Sequence, residues 1–324
     1  MSVSAPMLSV VIPVYNEEHS LEALFDRLYP ALDKLGVPYE VLFVNDGSRD
    51  RSPAMLKDQF LKRPDVTRVI LFSGNYGQHM AIVAGFEHCR GERIVTLDAD
   101  LQNPPEEIGK LLSAMDAGHD YVGGVRRTRE DSWWRRVASK AMNQVRHRIT
   151  HIEMTDQGCM LRAYSRDIVR AVAASREVST YIPALAYTYA SNPIEVEVEH
   201  AERVAGESKY SLYKLIRLNF DLITGFSLVP LQIFSMFGML VSIGALLTYL
   251  VVIVNRLILS GWREGMATLW DRDILAFFLL GMVLFGLGLV GEYVGRIYQQ
   301  VRERPRFTIQ ALLEQKHDDT ARPQ

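Results

Sequence analysis

Cysteine is scarce in this chain of 324 residues, which contains only Cys89 and Cys159 and no Cys-x-x-Cys pair. This scarcity argues against a disulfide framework or a cysteine-based zinc site, and it favours a reducing compartment. An excess of one charge is also lacking, because 36 lysines and arginines nearly balance 38 aspartates and glutamates. The formal net charge of -2 argues against a protein that mainly neutralises nucleic-acid phosphates. The amino terminus has no basic segment followed by a long apolar core, so we expect no cleavable signal peptide.

Charged residues are completely absent from two runs in the last third of the chain, 222–255 and 274–291. A membrane span needs about 20 predominantly apolar residues. Because Pro230 divides the first run, we predict transmembrane helices at 231–255 and 274–294, joined by a loop at 256–273. A pair of buried core helices is the alternative, but helices that are apolar on all faces need a much larger protein around them.

The first two hundred residues alternate between strand and helix patterns. We predict strands at four short apolar runs: LSVVIPV, YEVLFV, VTRVILF and RIVTL. The segments between them have the pattern of helices, in one case with leucines at helical spacing. Near-continuous apolar strands between helices predict an α/β fold with a mainly parallel sheet that is covered on both faces. In such sheets ligands bind beyond the carboxyl ends of the strands.

Polar side chains are concentrated where these four strands end, so we expect them to converge on one crevice. They are Glu17, Asp46, Asn75, Asp98, Asp100 and Gln102. A crevice with three or more carboxylates is energetically costly unless it binds something cationic.

The stretch DADLQ, residues 98–102, predicts a metal site. Residues i and i+2 of a strand share a face, so Asp98 and Asp100 would point the same way and repel each other. Mg²⁺ prefers oxygen ligands and commonly binds substrate phosphates at the same time. A pair of aspartates two residues apart also occurs often by chance, but here it follows a predicted buried strand and Gln102 adds a further oxygen.

The sequence patterns of three other segments are less decisive about structure or function. Asp46 in NDGSRD could cap the next helix or accept a hydrogen bond from a nucleobase N–H. Residues 209–230 place apolar side chains on one helical face, which is typical of a helix in the membrane interface and also of one packed on the soluble domain. The chain after Phe307 is rich in polar residues, so we expect it to be disordered.

Three motifs, VVIPVYNEE, VNDGSRD and LDADLQNPPE, occur in the order found in family 2 glycosyltransferases of the GT-A fold, and the sequence resembles that family. NYGQHMAIVAGF, DQGCMLRAY and GESKYS, followed by two apolar segments, resemble its polyprenyl-phosphate glycosyltransferases. The resemblance extends from about Leu8 to Phe307. It implies a GT-A domain at 1–208, an interfacial helix at 209–230, two membrane helices and a carboxyl-terminal tail at 295–324.

The resemblance also implies roles for individual residues. Asp98 and Asp100 would be the catalytic pair, and with Gln102 they would hold Mg²⁺ or Mn²⁺. The nucleotide site would comprise Pro13, Tyr15, Glu17 and Asp46, and the site for the acceptor phosphate would comprise Arg126, Arg127, Arg135, Arg203, Ser208 and Lys209. Asn45 departs from the family, in which many members carry a second aspartate, and so does FSGN before Tyr76, where a basic residue is common.

The activity implied is an inverting transfer from a UDP-sugar to undecaprenyl phosphate. NYGQH, LDADLQNPPEEI and DSWWRRVASK point to 4-deoxy-4-formamido-L-arabinose as the sugar, for lipid A modification and polymyxin resistance. A glucosyl or mannosyl transferase is the alternative. The QxxRW signature of processive synthases is missing, and a non-catalytic flippase partner would not need clustered carboxylates.

The resemblance implies a homo-oligomer, a tetramer, in the bacterial inner membrane. The basic segment RIYQQVRERPR that follows the second apolar run places the catalytic domain in the cytoplasm by the positive-inside rule. The loop at 256–273 also carries three arginines, which weakens that argument without reversing it. The expected partners are the UDP-sugar, undecaprenyl phosphate and the bilayer, and no nucleic acid.

Overall fold

The structure is a computed structural model that describes residues 7–126, 154–156, 158–175, 181–200, 268–301 and 305–315, with scattered positions between 231 and 247. Eight strands form one sheet. They are β1 (Leu8–Val14), β2 (Tyr39–Asn45), β3 (Thr67–Phe72), β4 (Arg93–Thr96), β5 (Tyr121–Arg126), β6 (Arg162–Ser165), β7 (Pro193–Val198) and β8 (Ile309–Leu313).

Seven helices have defined bounds in the described part of the chain, and a short 3-10 turn, Pro105–Glu107, precedes the fourth. They are α1 (Leu21–Asp33), α2 (Ser52–Lys62), α3 (Gln78–His88), α4 (Ile108–Asp116), α5 (Arg166–Ala174), α6 (Ile182–Tyr189) and α7 (Thr268–Val301). The leucine spacing predicted for the first helix is confirmed, because Leu21, Leu24, Leu28 and Leu32 are all fully buried. Gly36 has a φ of +67° just beyond that helix, as expected for a helix stop.

The sheet order is β7-β5-β6-β4-β1-β2-β3-β8. Strands β4, β1, β2 and β3 run parallel to one another, and β5 runs parallel to β7. Strand β6 is antiparallel to β4 and β5, and β8 is antiparallel to β3. The predicted mainly parallel sheet is therefore confirmed, and the ends of the four predicted strands lie at one edge.

Pro13 lies in β1 between two paired strands, although proline is rare in central strands because it has no N–H. Its tolerance follows from the register. Strand β2 pairs with β1 as far as Val14, whereas β4 pairs with β1 only as far as Val11. Because β4 ends early, the residues that follow it, including Asp98 and Asp100, lie beside the last residues of β1 at the ligand-binding edge.

The prediction of disorder after Phe307 is wrong for the described residues there. Residues Ile309–Leu313 form β8 at the outer edge of β3. Phe307 stacks on Phe72 with ring centroids 5.0 Å apart, and Glu314 binds Arg68 and Arg90 at 2.7 and 2.8 Å. A short strand with contacts at both ends is ordered by tertiary packing that its local composition does not reveal.

The chain divides into two compact units, of which the first holds all eight strands and the second holds α7. Helix α7 has 34 residues and includes the predicted span at 274–294. Among the residues that the structure describes, no helix meets both the length and the apolar character that a membrane span requires. The predicted interfacial helix at 209–230 lies outside the described residues, and so does the predicted loop at 256–273 as far as residue 267. The last six residues of that loop, 268–273, are helical and belong to α7, so the loop prediction is wrong there. The two predicted spans stay predictions.

Candidate functional site

Side-chain hydrogen bonds join the loop after β1 to the loop after β2. The backbone N–H of Asn16 donates to Ser48 Oγ at 3.0 Å, and Asn16 Oδ1 accepts from the N–H of Arg49 at 2.9 Å. The N–H of Glu17 donates to Ser52 Oγ at 2.9 Å. These bonds hold Asn16 at a φ of +54°. The second non-glycine residue with positive φ in the described chain is Leu101, at +60°, so both strained positions lie at the ligand-binding edge.

Asp46, for which the resemblance implies a contact with the nucleobase, is held by the loop after β3. Its Oδ1 accepts from the N–H of Tyr76 at 2.6 Å and its Oδ2 from the N–H of Gly77 at 2.9 Å. Burial raises the pKa of Asp46, and the two N–H groups act in the opposite direction. The carboxylate thus fixes the position of the NYG segment, and its proposed contact with a base stays a prediction.

Asp98 and Asp100 follow β4 on a strained turn. Gln78, the first residue of α3, donates from Nε2 to Asp98 Oδ1 at 2.7 Å. Asp100 is buried, and its Oδ1 accepts from the N–H of Gln102 at 3.1 Å. Sequence reasoning missed Gln78, whose place at the start of a helix after NYG was the available signal. The two carboxylates are thus held in fixed orientations at adjacent positions of the edge.

The residues at this turn fit a divalent cation. They offer carboxylate and amide oxygens, and Mg²⁺ is often held by one or two carboxylates together with substrate phosphates. No group of three histidine, cysteine, aspartate or glutamate side chains suited to a metal occurs within the described ranges. The metal assignment of Asp98, Asp100 and Gln102 therefore stays a prediction, supported by the chemistry of the donor atoms.

Arg126, predicted to contact the acceptor phosphate, forms an ion pair with Asp156. Its Nε and Nη2 lie 2.6 and 2.8 Å from the two carboxylate oxygens, and this contact raises the pKa of Arg126. The pKa of His200 is lowered, mainly by partial burial and then by the positive charge of Arg126, and its hydrogen bond with the Gln102 backbone only partly opposes this shift. His200 therefore lies beside Gln102 of the predicted metal turn and interacts electrostatically with Arg126.

Arg162, which sequence reasoning did not single out, is fully buried in β6. Its Nη1 donates to Tyr121 Oη at 2.6 Å, and its Nε and Nη2 donate to the carbonyls of Cys159 and Asp156 at 2.9 and 2.6 Å. Two of these donors fix the loop that carries Asp156, and the third joins Arg162 to β5. The motif DQGCMLRAY contained both residues, but nothing local in the sequence indicated that Arg162 is buried.

A cavity of about 390 Å³ opens at the ends of β1, β2 and β3. Tyr15, which is 46% exposed, lines it together with Asn45, Gly47, Ser48, Asn75 and Gln310. This volume lies in the range of sites for small molecules and cofactors. Asn45 is 3% exposed, and its Oδ1 has no hydrogen-bond partner among the described residues. A buried amide oxygen without a partner is unfavourable, so this position at the end of β2 is energetically costly.

The other predicted site residues have different outcomes. Pro13 is buried in β1, and Glu17 Oε2 accepts from Ser20 Oγ at 2.7 Å next to the joined loops. The remaining acceptor-site residues lie outside the described part of the chain, namely Arg127, Arg135, Arg203, Ser208 and Lys209. Their roles stay predictions.

Comparison with known proteins identifies the family. The model of glycosyl transferase family 2 matches residues 9–173, slightly more than half of the chain. The chain belongs to glycosyl transferase family 2. This family 2 chain is 46% identical over 314 residues to the undecaprenyl-phosphate 4-deoxy-4-formamido-L-arabinose transferase of Edwardsiella ictaluri, with 96% of each chain covered. It is also 46% identical over 309 residues to the protein of the same name from Aeromonas hydrophila, covering 95% of this chain and 94% of the other.

A solved structure supports the architecture of this family 2 enzyme. Glucosyl-3-phosphoglycerate synthase from Mycobacterium tuberculosis, in complex with Mn²⁺, UDP and phosphoglyceric acid, superimposes with a TM-score of 0.50 at 16% identity. The match covers 68% of this chain and 76% of the other. The predicted α/β fold is therefore confirmed as GT-A-like, and the enzyme class is that of a glycosyltransferase.

Proposed function

We propose that this protein transfers 4-deoxy-4-formamido-L-arabinose from its UDP-sugar to undecaprenyl phosphate and releases UDP. The observation that carries the proposal is 46% identity over about 95% of the chain to two proteins that bear this name. The product would serve lipid A modification and polymyxin resistance. The solved structure of similar fold contains Mn²⁺ and UDP, which agrees with a metal-dependent reaction of a UDP-sugar.

The acceptor itself can act as the nucleophile. The second pKa of a phosphate monoester is near 6, so the acceptor is largely dianionic at neutral pH and needs no protein base. Its oxygen would attack the anomeric carbon, and the bond from that carbon to the diphosphate oxygen would break with inversion. Arg126 and the predicted basic residues around it would orient the acceptor and offset the repulsion between two anionic substrates.

The donor would lie along the ligand-binding edge. Asp98, Asp100 and Gln102 would hold Mg²⁺ or Mn²⁺, which neutralises the charge that develops on the departing diphosphate. Gln78 fixes the orientation of Asp98, and the N–H of Gln102 fixes that of Asp100. Asp46 holds the NYG segment through the N–H groups of Tyr76 and Gly77, between the metal turn and the cavity.

Purified full-length protein, assayed with undecaprenyl phosphate and a panel of UDP-sugars, tests this function. We expect lipid-linked product from UDP-4-deoxy-4-formamido-L-arabinose, and none without a divalent cation. Product from UDP-glucose or a mannosyl donor but none from the formamido sugar would favour the alternative transferase. No product from any nucleotide sugar would contradict the proposed activity.

We also propose that the protein is a homo-tetramer anchored in the inner membrane, with the catalytic unit on the cytoplasmic side. Helix α7 exposes apolar side chains, including Leu280, Val283 and Phe285, which suits a lipid environment. A cysteine placed at Ser260 should be labelled from the periplasm, whereas one at Ala321 should not. Labelling of both positions from outside would contradict this topology, and a monomeric mass in mild detergent would contradict the tetramer.

A further inference from the structure

Glu107 is a buried carboxylate that has no part in the steps of the transfer. It is the last residue of the 3-10 turn Pro105–Glu107, which follows the metal turn at residues 98–102. The residue is only 7% exposed. Glutamate is almost never buried without a partner, so the groups that contact this carboxylate indicate what it does there.

Two donors meet at one oxygen of this carboxylate. Glu107 Oε2 accepts from Lys110 Nζ at 2.5 Å and from the backbone N–H of Glu199 at 3.2 Å. The Lys110 side chain is 50% exposed, and an ion pair with so exposed a partner contributes little. Glu199 lies 92 residues later in the chain, directly after β7. The bond to Glu199 is therefore the contact that joins two distant segments.

The end of β7 lies next to the predicted acceptor site. Strand β7 pairs with β5, and its last residue, Val198, is the partner of Arg126. The N–H of Thr155, which precedes Asp156, donates to Glu195 Oε1 on β7 at 2.7 Å. Strand β7 thus adjoins both members of the Arg126–Asp156 ion pair, and its position affects where that pair lies.

A second bond joins the same end of β7 to the metal turn. His200 forms a hydrogen bond with the backbone of Gln102. Strand β7 is the outermost strand of the described sheet, in which it pairs with β5 alone, so its end depends on such contacts. Bonds from the metal turn and from Glu107 thus reach two consecutive residues, Glu199 and His200.

We propose that Glu107 is a positioning residue for the acceptor. Through the N–H of Glu199 it holds the end of β7, and with it Arg126, at a fixed distance from the metal turn. An acceptor phosphate on Arg126 is then placed towards a donor whose diphosphate lies at the metal turn, and such placement lowers the barrier of a reaction between two substrates. This inference rests on the proposed function, because it assumes transfer to a lipid phosphate.

Glu107→Ala and Glu199→Pro remove this bond from its two ends. The first variant lacks the accepting oxygen, and the second lacks the donating N–H. Steady-state kinetics use full-length protein, Mg²⁺ and whichever UDP-sugar the unmodified protein transfers. Each variant should raise the KM for undecaprenyl phosphate by roughly threefold to tenfold, the value of one hydrogen bond, and change kcat less than KM. The affinity for UDP, measured by calorimetry, should stay unchanged because the metal turn is intact.

Lys110→Ala and Glu199→Ala are the matched controls. The first removes the ion pair with Glu107 but leaves the bond to Glu199 in place. The second removes an exposed side chain but keeps the backbone N–H. Both controls should have the KM of the unmodified protein. Glu107→Gln retains an oxygen that can accept from the N–H, so it should recover most of the KM that Glu107→Ala loses.

A purely structural role of Glu107 predicts a different result, namely a lower kcat from a smaller folded fraction with the KM unchanged. That result, or an unchanged KM in both test variants, would overturn the inference and leave the proposed function standing. Thermal unfolding verifies folding, and Glu199→Pro decides alone if Glu107→Ala does not fold. Transfer of another sugar only would contradict the proposed function, and the same KM comparison would still decide the inference. No lipid-linked product from the unmodified protein with any UDP-sugar would overturn both.

Discussion

Arg126 and Asp156 form a two-point ion pair in which Nε and Nη2 of the guanidinium each contact one carboxylate oxygen. The side chains are 16% and 6% exposed. Removing one partner of a buried pair leaves an uncompensated charge, so Asp156→Asn should lower the free energy of unfolding by about 3 kcal/mol. Thermal and denaturant unfolding measure the loss.

Glu106→Gln is the control for this ion pair. Glu106 pairs with Arg27, but those side chains are 49% and 40% exposed. Because exposed pairs contribute little, the control should lose less than about 1 kcal/mol. Equal losses in the two variants would show that burial does not set the strength of the Arg126–Asp156 pair.

The metal turn gives the second prediction. Asp100→Asn keeps an oxygen that can accept from the Gln102 N–H, so the fold should persist, but the variant loses the negative charge. Turnover should fall on the order of a hundredfold or more, because a metal contributes several kcal/mol to stabilising the transition state. Chelation of the metal with EDTA should weaken the binding of UDP to the unmodified protein. The same treatment should change the binding of UDP to the variant much less.

Asp26→Asn serves as the control for the same chemical change, since Asp26 is exposed on α1, far along the chain from the metal turn. It should retain normal turnover. Near-normal activity of Asp100→Asn at saturating Mg²⁺ or Mn²⁺ would mean that the metal is held elsewhere.

Gly47 gives the third prediction, which concerns the wall of the cavity. Its φ is +66°, and an added Cβ would lie 2.4 Å from the Gly74 carbonyl carbon. Gly47→Ala should therefore destabilise the fold by more than about 2 kcal/mol and weaken UDP binding. Gly109→Ala, on α4, meets only Leu35 Cδ2 at 3.4 Å and should be neutral or stabilising by up to about 1 kcal/mol. If both substitutions had the same effect on stability, the close contact with Gly74 would not be what requires glycine at position 47.

His79 gives a prediction of pH dependence. Burial lowers its pKa to about 4 from 6.5, and its Nδ1 has no hydrogen-bond partner among the described residues. The imidazole of His79 binds a proton more readily in the unfolded chain than in the folded protein. The contribution of neutral His79 to stability is therefore complete above pH 6.5 and is lost as the pH falls towards 4.

At about 1.4 kcal/mol per pH unit, that loss amounts to roughly 3 kcal/mol. His79→Leu removes the titrating group, so the unfolding free energy of the unmodified protein should fall more steeply between pH 7 and pH 4 than that of the variant. Parallel curves for the two proteins would contradict the lowered pKa.

The sequence indicated the parallel centre of the sheet because its strands are apolar and continuous. Strand β6 gave no such signal, since RAYS has a polar appearance and Arg162 is buried only because Tyr121 and two carbonyls satisfy it. Strand β8 has only five residues and depends on contacts with Phe72, Arg68 and Arg90. Such contacts join residues more than two hundred positions apart, which no local pattern reports.

The motifs predicted which loops meet at the edge of the sheet, because glycines, aspartates and turns at strand ends have local causes. They could not show which side of NDGSRD faces the cavity. Asn45 lines it, whereas Asp46 turns to the N–H groups of Tyr76 and Gly77. That choice depends on the loop after β3, thirty residues later in the chain.

The order of strands has a consequence for biosynthesis. Strand β3 is synthesised early, yet its outer neighbour β8 leaves the ribosome about 240 residues later. At roughly 5 to 20 residues per second, the outer edge of β3 waits about 10 to 50 seconds for its partner. An open strand edge can pair with other chains during that time. A nascent chain that stalls before residue 305 would keep this edge open, and the cavity at the ends of β1, β2 and β3 would lack Gln310.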